Sequence, residues 1–406
     1  LTVGSNHALG SGTLRLGESG QSSSVQVRFP FHSPDVPVAN NIRVLSPGVK
    51  SLQTFGQTNG TYSGNISIEN AAATFNLGGG MGLFNPAGSM LGVWTLTGYI
   101  SGSGTFNAGG TWNLHGDNSG FSGLANVSGI IGIGSDTAFG TGNVAIFSPT
   151  LRADFGSRTI QNNLSFQSTT NVRFVGDNDL TFTGNVLLNS TRSMIEAYNR
   201  GVVNFAGVIS GPTVNSRIEQ YGYGMVTLSG ANTFQGGYSL FGGVLGIGND
   251  AALGSGLLSV YEGGVLRAVN GGRFISNNVW LQRNLIVDGD QALNLGGTFQ
   301  QWSGSETFVI NNWALTTISG QMLGENFVKE GSGVLTLTHG SSVFSSVILG
   351  EGTMNFNNPA GSAINVGSLI VLVGGTLGGS GAITGSVIVD GRLSPGDGIE
   401  SFSVSA

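Results

Sequence analysis

The phrase Ile-Ser-Gly occurs at Ile100-Ser101-Gly102, Ile209-Ser210-Gly211 and Ile318-Ser319-Gly320, and the three copies are evenly spaced along the chain. A long fixed period constrains a chain to a stacked architecture, because each unit can bury its apolar face only against its neighbours. Other phrases travel with it. A glycine-led strand follows each copy: GTWNLHG from Gly110, GMVTLSG from Gly224 and GVLTLTHG from Gly333. LTVGSNHALGSG from Leu1 returns as IGIGSDTAFGTG from Ile131 and LGIGNDAALGSG from Leu245, while the last copy reads EGTMNFNNPAGSA from Glu351. Paired asparagines precede an aliphatic residue at Asn40-Asn41-Ile42, Asn162-Asn163-Leu164 and Asn277-Asn278-Val279. The landmarks at 100, 209 and 318 therefore define a super-repeat of roughly 109 residues, long enough to hold several coils of a stacked fold.

Composition selects among stacked folds. With 39% hydrophobic residues the chain can bury a core. Only 9% of its residues are charged, too few to cover the outer faces of a helical solenoid, and Lys50 and Lys329 are the only lysines. Its 71 glycines show no period of three, which excludes collagen. Cysteine is absent, in keeping with a fold that is closed by stacking instead of disulfides. Short alternating runs such as Gly-Thr-Leu-Arg-Leu-Gly from Gly12, Val-Arg-Phe-Val from Val172 and Val-Leu-Thr-Leu-Thr from Val334 end at Gly, Asn, Asp or Ser. That is the pattern of half-buried strands joined by tight corners. A propeller blade has a shorter period, so the pattern predicts an all-β parallel β-helix, a β-solenoid with about 20–25 residues per coil and about seventeen coils. Residues 1–406 read as one continuous rod, with Phe as core filling and any internal Tyr hydroxyl in need of a partner. Phe29-Pro30-Phe31-His32-Ser33-Pro34-Asp35-Val36-Pro37 is too rich in proline for a stacked strand and predicts a loop leaving the coil over 29–38.

GYGMVTLSGANTFQGGYSLFGGVLGIGNDAALGSG, from Gly222 to Gly256, resembles the passenger-associated transport repeat, or autotransporter-associated β-strand repeat. Gly224-Met225-Val226-Thr227-Leu228-Ser229-Gly230 matches its strand, and Asn232-Thr233-Phe234 with Gly236-Gly237 its corner. The copy from Phe327 to Phe356 keeps Lys329, Gly331, Gly333 and Leu335-Thr336-Leu337 but has His339-Gly340-Ser341-Ser342 at the corner. A degenerate copy runs from Gly109 to Gly134. Gly375-Thr376-Leu377-Gly378-Gly379-Ser380-Gly381 and Gly391-Arg392-Leu393-Ser394-Pro395-Gly396-Asp397 resemble the stretch that follows the last repeats. The resemblance implies a right-handed parallel β-helix on a secreted bacterial surface protein. The family usually finishes in an outer-membrane β-barrel; none is read here, nor a signal peptide, so the expectation is a processed or partial chain.

Candidate chemistry is sparse. Asp177-Asn178-Asp179 and Asp288-Gly289-Asp290 each bring two carboxylates together, the best local candidates for a cation. Two carboxylates fall short of the six to eight oxygens that calcium takes, so both segments read first as polar corners. His7, His32, His115 and His339 are widely separated, and no cofactor is expected. Sequons at Asn59, Asn65, Asn126, Asn163 and Asn189 read as chance in a chain rich in Asn, Ser and Thr. Binding candidates are Phe29 and Phe31 in the proline-rich segment and Trp280, Trp302 and Trp313 as aromatics available to carbohydrate. A net charge of −6 without a basic stripe argues against nucleic acid, and no apolar run is long enough to span a membrane. The expected function is a non-enzymatic extracellular rod with a structural or adhesive role. Its expected partners are a host-surface or matrix carbohydrate or protein, or further copies of itself joined end to end as a filament; a polysaccharide-binding or polysaccharide-degrading β-helix is the alternative.

Overall fold

Strand Ile66–Ile68 shows the local rule: both isoleucines are buried while Ser67 faces outward. Side chains alternate across a strand, so an Ile-Ser-Ile run can bury one face only by stacking on similar runs. It does so in register, with Ile66 opposite Ile42 on one side and Ile100 on the other, all parallel. The computed structural model describes residues 1–3, 8–18, 21–29, 37–54, 59–79, 83–84, 90–167, 170–261, 263–301, 304–396 and 403–405. Among them there are strands and turns but no helix, and the parallel strands stack as a β-solenoid with about 16 turns in all. Two compact units divide the chain at residues 207 and 208.

In the first unit, one ladder runs through Ala73–Gly79, Thr105–Ala108, Leu124–Val127, Val144–Ile146 and Leu164–Phe166. A second runs through Trp94–Leu96, Thr111–Leu114, Ile130–Ile133 and Thr150–Ala153. A third holds Leu14–Leu16, Ile42–Val44, Ile66–Ile68 and Ile100–Gly102, and a further one Arg158–Ile160, Leu180–Phe182 and Val202–Phe205. One coil is widened, so that Tyr99 N–H reaches Asn65 Oδ1 from 34 residues further along the chain. The extra length is an excursion carrying the antiparallel pair Leu83–Phe84 and Met90–Leu91. Trp94 and Trp112 pack inside with their rings tilted, 6.0 Å between centroids.

The second unit is more regular. Met225 is followed along its ladder by Val244, Val265, Ile286, Val309 and Glu330, each step taking about 20 residues, at the short end for stacked repeats. Its interior carries a column of Phe299, Phe308, Phe327 and Phe344, with centroids 5.1, 4.9 and 5.6 Å apart. Buried tyrosines do find partners: the Tyr62 hydroxyl donates to Asn40 O, and that of Tyr238 to Gln220 Oε1 at 2.6 Å.

The super-repeat is not a whole number of coils. Five steps separate Met225 from Glu330 along one ladder, yet the matching glycine-led strand, Val334–Leu337, pairs with Thr316–Ile318 on the next face. Equivalent residues of these two copies therefore lie one face apart. The third Ile-Ser-Gly phrase sits differently in the stack. Ile100 N–H donates to Asn118 Oδ1 (2.6 Å) and Ile209 N–H to Asn232 Oδ1 (2.7 Å), but the equivalent donor in the last copy is Met322 N–H, to Ser342 Oγ (3.0 Å). Ile318 instead pairs with Leu295, so the phrase at 318 falls one corner before the equivalent position.

Two of the repeated phrases meet at one corner. The first asparagine of each pair is buried and forks its amide over two backbone carbonyls of the coil before it. Asn40 reaches Gly10 O and Gly12 O (3.0 and 2.8 Å), Asn162 reaches Gly140 O and Gly142 O (3.0 and 2.6 Å), and Asn277 reaches Gly254 O and Gly256 O (3.0 and 2.7 Å). The second asparagine faces the other way along the stack. Asn41, Asn163 and Asn278 Oδ1 accept the N–H of Asn65, Asn185 and Thr298 in the next coil, at 2.9–3.0 Å. Each pair therefore satisfies corner backbone groups in both adjoining coils, groups that strand pairing leaves over. Asn162→Ala is expected to cost about 2–3 kcal/mol because two carbonyls lose their donors, and Asn163→Ala about 1 kcal/mol because its position is exposed. Urea-unfolding midpoints should rank wild type above Asn163→Ala and Asn163→Ala above Asn162→Ala.

Candidate functional site

The chain's two lysines are both buried, and each holds a corner from inside. Lys50 Nζ donates to Ser23 O (3.0 Å), Ser46 O (2.8 Å) and Pro47 O; Lys329 Nζ donates to Glu351 O (2.8 Å) and Gly331 O. Burial pushes both ammonium groups below their ordinary range, Lys329 to about 8. These are structural cations with no access to a ligand.

A half-buried polar cluster lies on the outer face of the first unit. Arg152 reaches across Gly132 to Asn113 Oδ1 at 2.6 Å, and its Nε donates to Asp154 Oδ1 at 2.9 Å. Only glycine leaves this path open, because a Cβ at 132 would sit 2.2 Å from Asp154 Oδ2 and 2.5 Å from Asn113 Oδ1. His115 Nε2 lies 3.1 Å from Asp154 Oδ2. Burial disfavours the Asp154 carboxylate, but the His115 hydrogen bond and the Arg152 charge together hold it below the usual carboxylate range. The cluster joins coils two apart.

The carboxylates singled out in the sequence are each engaged by groups of the stack. Asp177 is exposed and meets Arg200 at 3.5 Å, whereas Asp179 Oδ1 accepts Val202 N–H of the next coil at 2.7 Å. Asp288 is held by Arg267 through Nε (2.8 Å) and Nη2 (2.7 Å), while Asp290 Oδ1 accepts from Gln291 Nε2 at 3.2 Å. Arg267 is shifted up, chiefly by its hydrogen bond to Asp288. Among the described residues no group of three or more His, Asp or Glu side chains is placed to hold a metal ion. All five sequon asparagines bond within the stack; Asn126, for example, donates to Asn107 Oδ1 at 2.7 Å, continuing a ladder from Asn76.

The aromatic candidates divide. Phe29 is core, buried on Val25–Phe29 with its ring 5.8 Å from Trp94, so it is no contact residue. Strand alternation directs it inward with Val27. Phe31, the rest of the proline-rich segment through residue 36, and Trp302 lie outside the described residues; Val38 is back in the stack, bridged to Tyr62. Trp280 is half-buried beside a recess of about 420 Å³ shared with Asn278, Thr298, Gln300 and Gln301. Trp313 is 94% exposed at the mouth of an open recess of about 640 Å³ that also holds Arg267, Asp288, Asp290 and Asn311. The two tryptophans are not in a row: Trp280 lies on strand Val279–Leu281, and Trp313 on the turn after Ile310, behind another ladder.

Sequence reading missed a phrase that frames this recess, Leu-Arg-Ala-x-x-Gly-x-Arg-x-Ile, at Leu151–Ile160 and Leu266–Ile275. In both copies the second arginine forks over two turn carbonyls: Arg158 over Asp154 O and Phe155 O (3.0 and 3.2 Å), Arg273 over Val269 O and Asn270 O (3.1 and 2.7 Å). Phe155 and Asn270 share a left-handed backbone, with φ of 59° and 58°. Aligning the chain on itself beyond the glycine-led phrases would have exposed this pair. Among the described residues no helix is long and apolar enough to cross a membrane. No family model matches the chain, and neither a curated protein nor a solved structure matches it.

Proposed function

We propose that this chain is a non-catalytic segment of a secreted bacterial surface protein, serving as a β-solenoid with a structural or adhesive role. One observation carries the reading: the polar residues of the repeated phrases bond neighbouring coils. The asparagine pairs, the Asn118 and Asn232 corners and Lys329 all satisfy backbone groups of adjoining coils. A module so built adds length and surface with each copy, which suits a scaffold. Resemblance of Gly222 to Gly256 to the passenger-associated transport repeat supports an extracellular location.

Exposure on cells is best tested with an antibody raised against the folded chain and applied to intact, non-permeabilised cells that produce the whole protein. Amine-reactive labels are a poor substitute, because both lysines are buried. Strong surface labelling is expected; labelling that appears only after permeabilisation would overturn the extracellular reading.

A further inference from the structure

Trp313 has a counterpart in the first unit. Trp313 N–H donates to Gly289 O at 2.8 Å, and Arg200 N–H donates to Gly176 O at the same distance. The preceding asparagines, Asn312 and Asn199, are both buried; Asn199 donates its amide to Gly201 O in its own corner, and Asn312 to Gln291 O of the coil before it (2.9 Å) and to Thr316 Oγ1 (3.3 Å). Arg152 and Arg267, from the shared Leu-Arg-Ala phrase, lie below the two glycines: a Cβ at Gly176 would be 3.4 Å from Arg152 Cβ, and one at Gly289 would be 3.0 Å from Arg267 Cγ. Asp177 and Asp290 each follow their glycine. The two corners thus share a backbone hydrogen bond and an arginine below the glycine, and they differ in their side chains.

Those differences decide the surface. In the first unit Arg200 meets Asp177, and Arg173 lies over the Tyr198 ring at 5.6 Å while pairing with Glu196. In the second unit tryptophan replaces Arg200 and asparagine replaces Tyr198. An indole 94% exposed now stands beside Asp290, Asn311 and the Arg267–Asp288 pair. An exposed tryptophan contributes nothing to the core and presents a large flat apolar face to water. Carboxylate and amide groups at its side offer hydroxyl-directed acceptors and donors. A flat apolar face bordered by such groups fits a sugar ring, which shows C–H groups on one side and hydroxyls around its edge.

We propose that the Trp313 recess is a binding subsite for a neutral hexopyranose unit of a glycan, stacked on the indole and hydrogen-bonded by Asp290 and Asn311. Arg267 and Asp288 neutralise each other, so Asp290 leaves the recess net negative and disfavours uronic or sialic acids. Asp288 is a positioning residue, since both its oxygens are engaged by Arg267. One open subsite predicts weak binding, with Kd on the order of millimolar for a single sugar and useful affinity only through repetition. The inference deepens the adhesive half of the proposed function and rests on that reading. Its test is independent of surface exposure, so the two can fail separately.

The test is saturation-transfer NMR on the purified 406-residue chain with neutral tetrasaccharides of glucose, galactose and N-acetylglucosamine, and with a glucuronate tetrasaccharide for comparison. Transfer to at least one neutral sugar is expected. It should fall at least tenfold in Trp313→Ala, persist weakened in Trp313→Phe, and remain in Trp280→Ala. Trp313 is exposed, so Trp313→Ala should keep the wild-type urea midpoint; the Phe variant separates loss of stacking from any local distortion. No transfer from any neutral sugar at 10-millimolar-order concentration, equal transfer in Trp313→Ala, or binding of the glucuronate sugar alone would overturn the proposal.

Discussion

Gly297→Ala is expected to lower stability by roughly 3–5 kcal/mol. A Cβ at position 297 would sit 2.1 Å from Asn277 O and 2.3 Å from its carbonyl carbon, and these are backbone atoms that no rotamer change can move aside. The same contact recurs at Gly64 over Asn40 (2.1 Å) and Gly184 over Asn162 (2.0 Å), so the three positions should respond alike. Relief requires the coils to separate at this corner, which strains the fork that Asn277 makes to Gly254 and Gly256. Gly12→Ala is the control, because nothing lies within 4 Å of its Cβ direction and its φ is not positive. It should be neutral or stabilising by up to about 1 kcal/mol through the unfolded chain. Equal urea midpoints for the two variants would contradict the corner geometry.

Replacing Lys329 by Met should cost about 2–4 kcal/mol at neutral pH, since the chain loses the donor to Gly331 O and Glu351 O while keeping most of the buried stem. The pH dependence gives a second signature. Burial lowers Lys329 from its ordinary 10.5 to about 8 in the folded chain. Between those values the unfolded chain binds the proton and the folded one does not. Stability therefore rises with pH across that window, by at most about 1.4 kcal/mol per pH unit. Lys50 is shifted in the same direction. Tyr62 and Tyr238 oppose this at the upper end: burial raises both hydroxyls well above the ordinary 10.0, so beyond that pH the unfolded chain loses protons that the folded one keeps. Urea midpoints should climb from pH 8, peak near pH 10 and then fall. In Lys329→Met the climb should flatten, and a variant that keeps the full climb would assign it to other groups.

The strand runs and their inward residues were legible because alternation has a period of two and needs no tertiary information. Ser67 between Ile66 and Ile68 could be turned outward from the sequence alone. Glycine corners and asparagine pairs were visible as phrases, but not their use. Asn162 and Asn163 are adjacent in sequence, yet one reaches back 20–22 residues and the other is reached from 22 residues ahead. Phe29 shows the limit from the other side, since its proline-rich neighbours suggested a surface loop while strand alternation put the ring into the core.

The candidate site was legible only in part. Trp313 could be singled out as an aromatic, and Asp288 and Asp290 as carboxylates, but nothing in their spacing tied them to Arg267 or Asn311. Those groups come from successive coils, and only stacking in register brings Arg267 opposite Asp288. Sequence by itself determined the class of fold and the strand pattern, because each follows from local periodicity and the chemistry of corners. Tertiary structure decided which copies of a phrase share a face, what each corner amide and lysine satisfies, and which exposed ring acquires polar neighbours. The reason is the coil length: a step of about 20 residues, varying slightly from coil to coil, sets the angular position of every side chain. Five coils plus one face then carry a repeated phrase from one side of its unit to another.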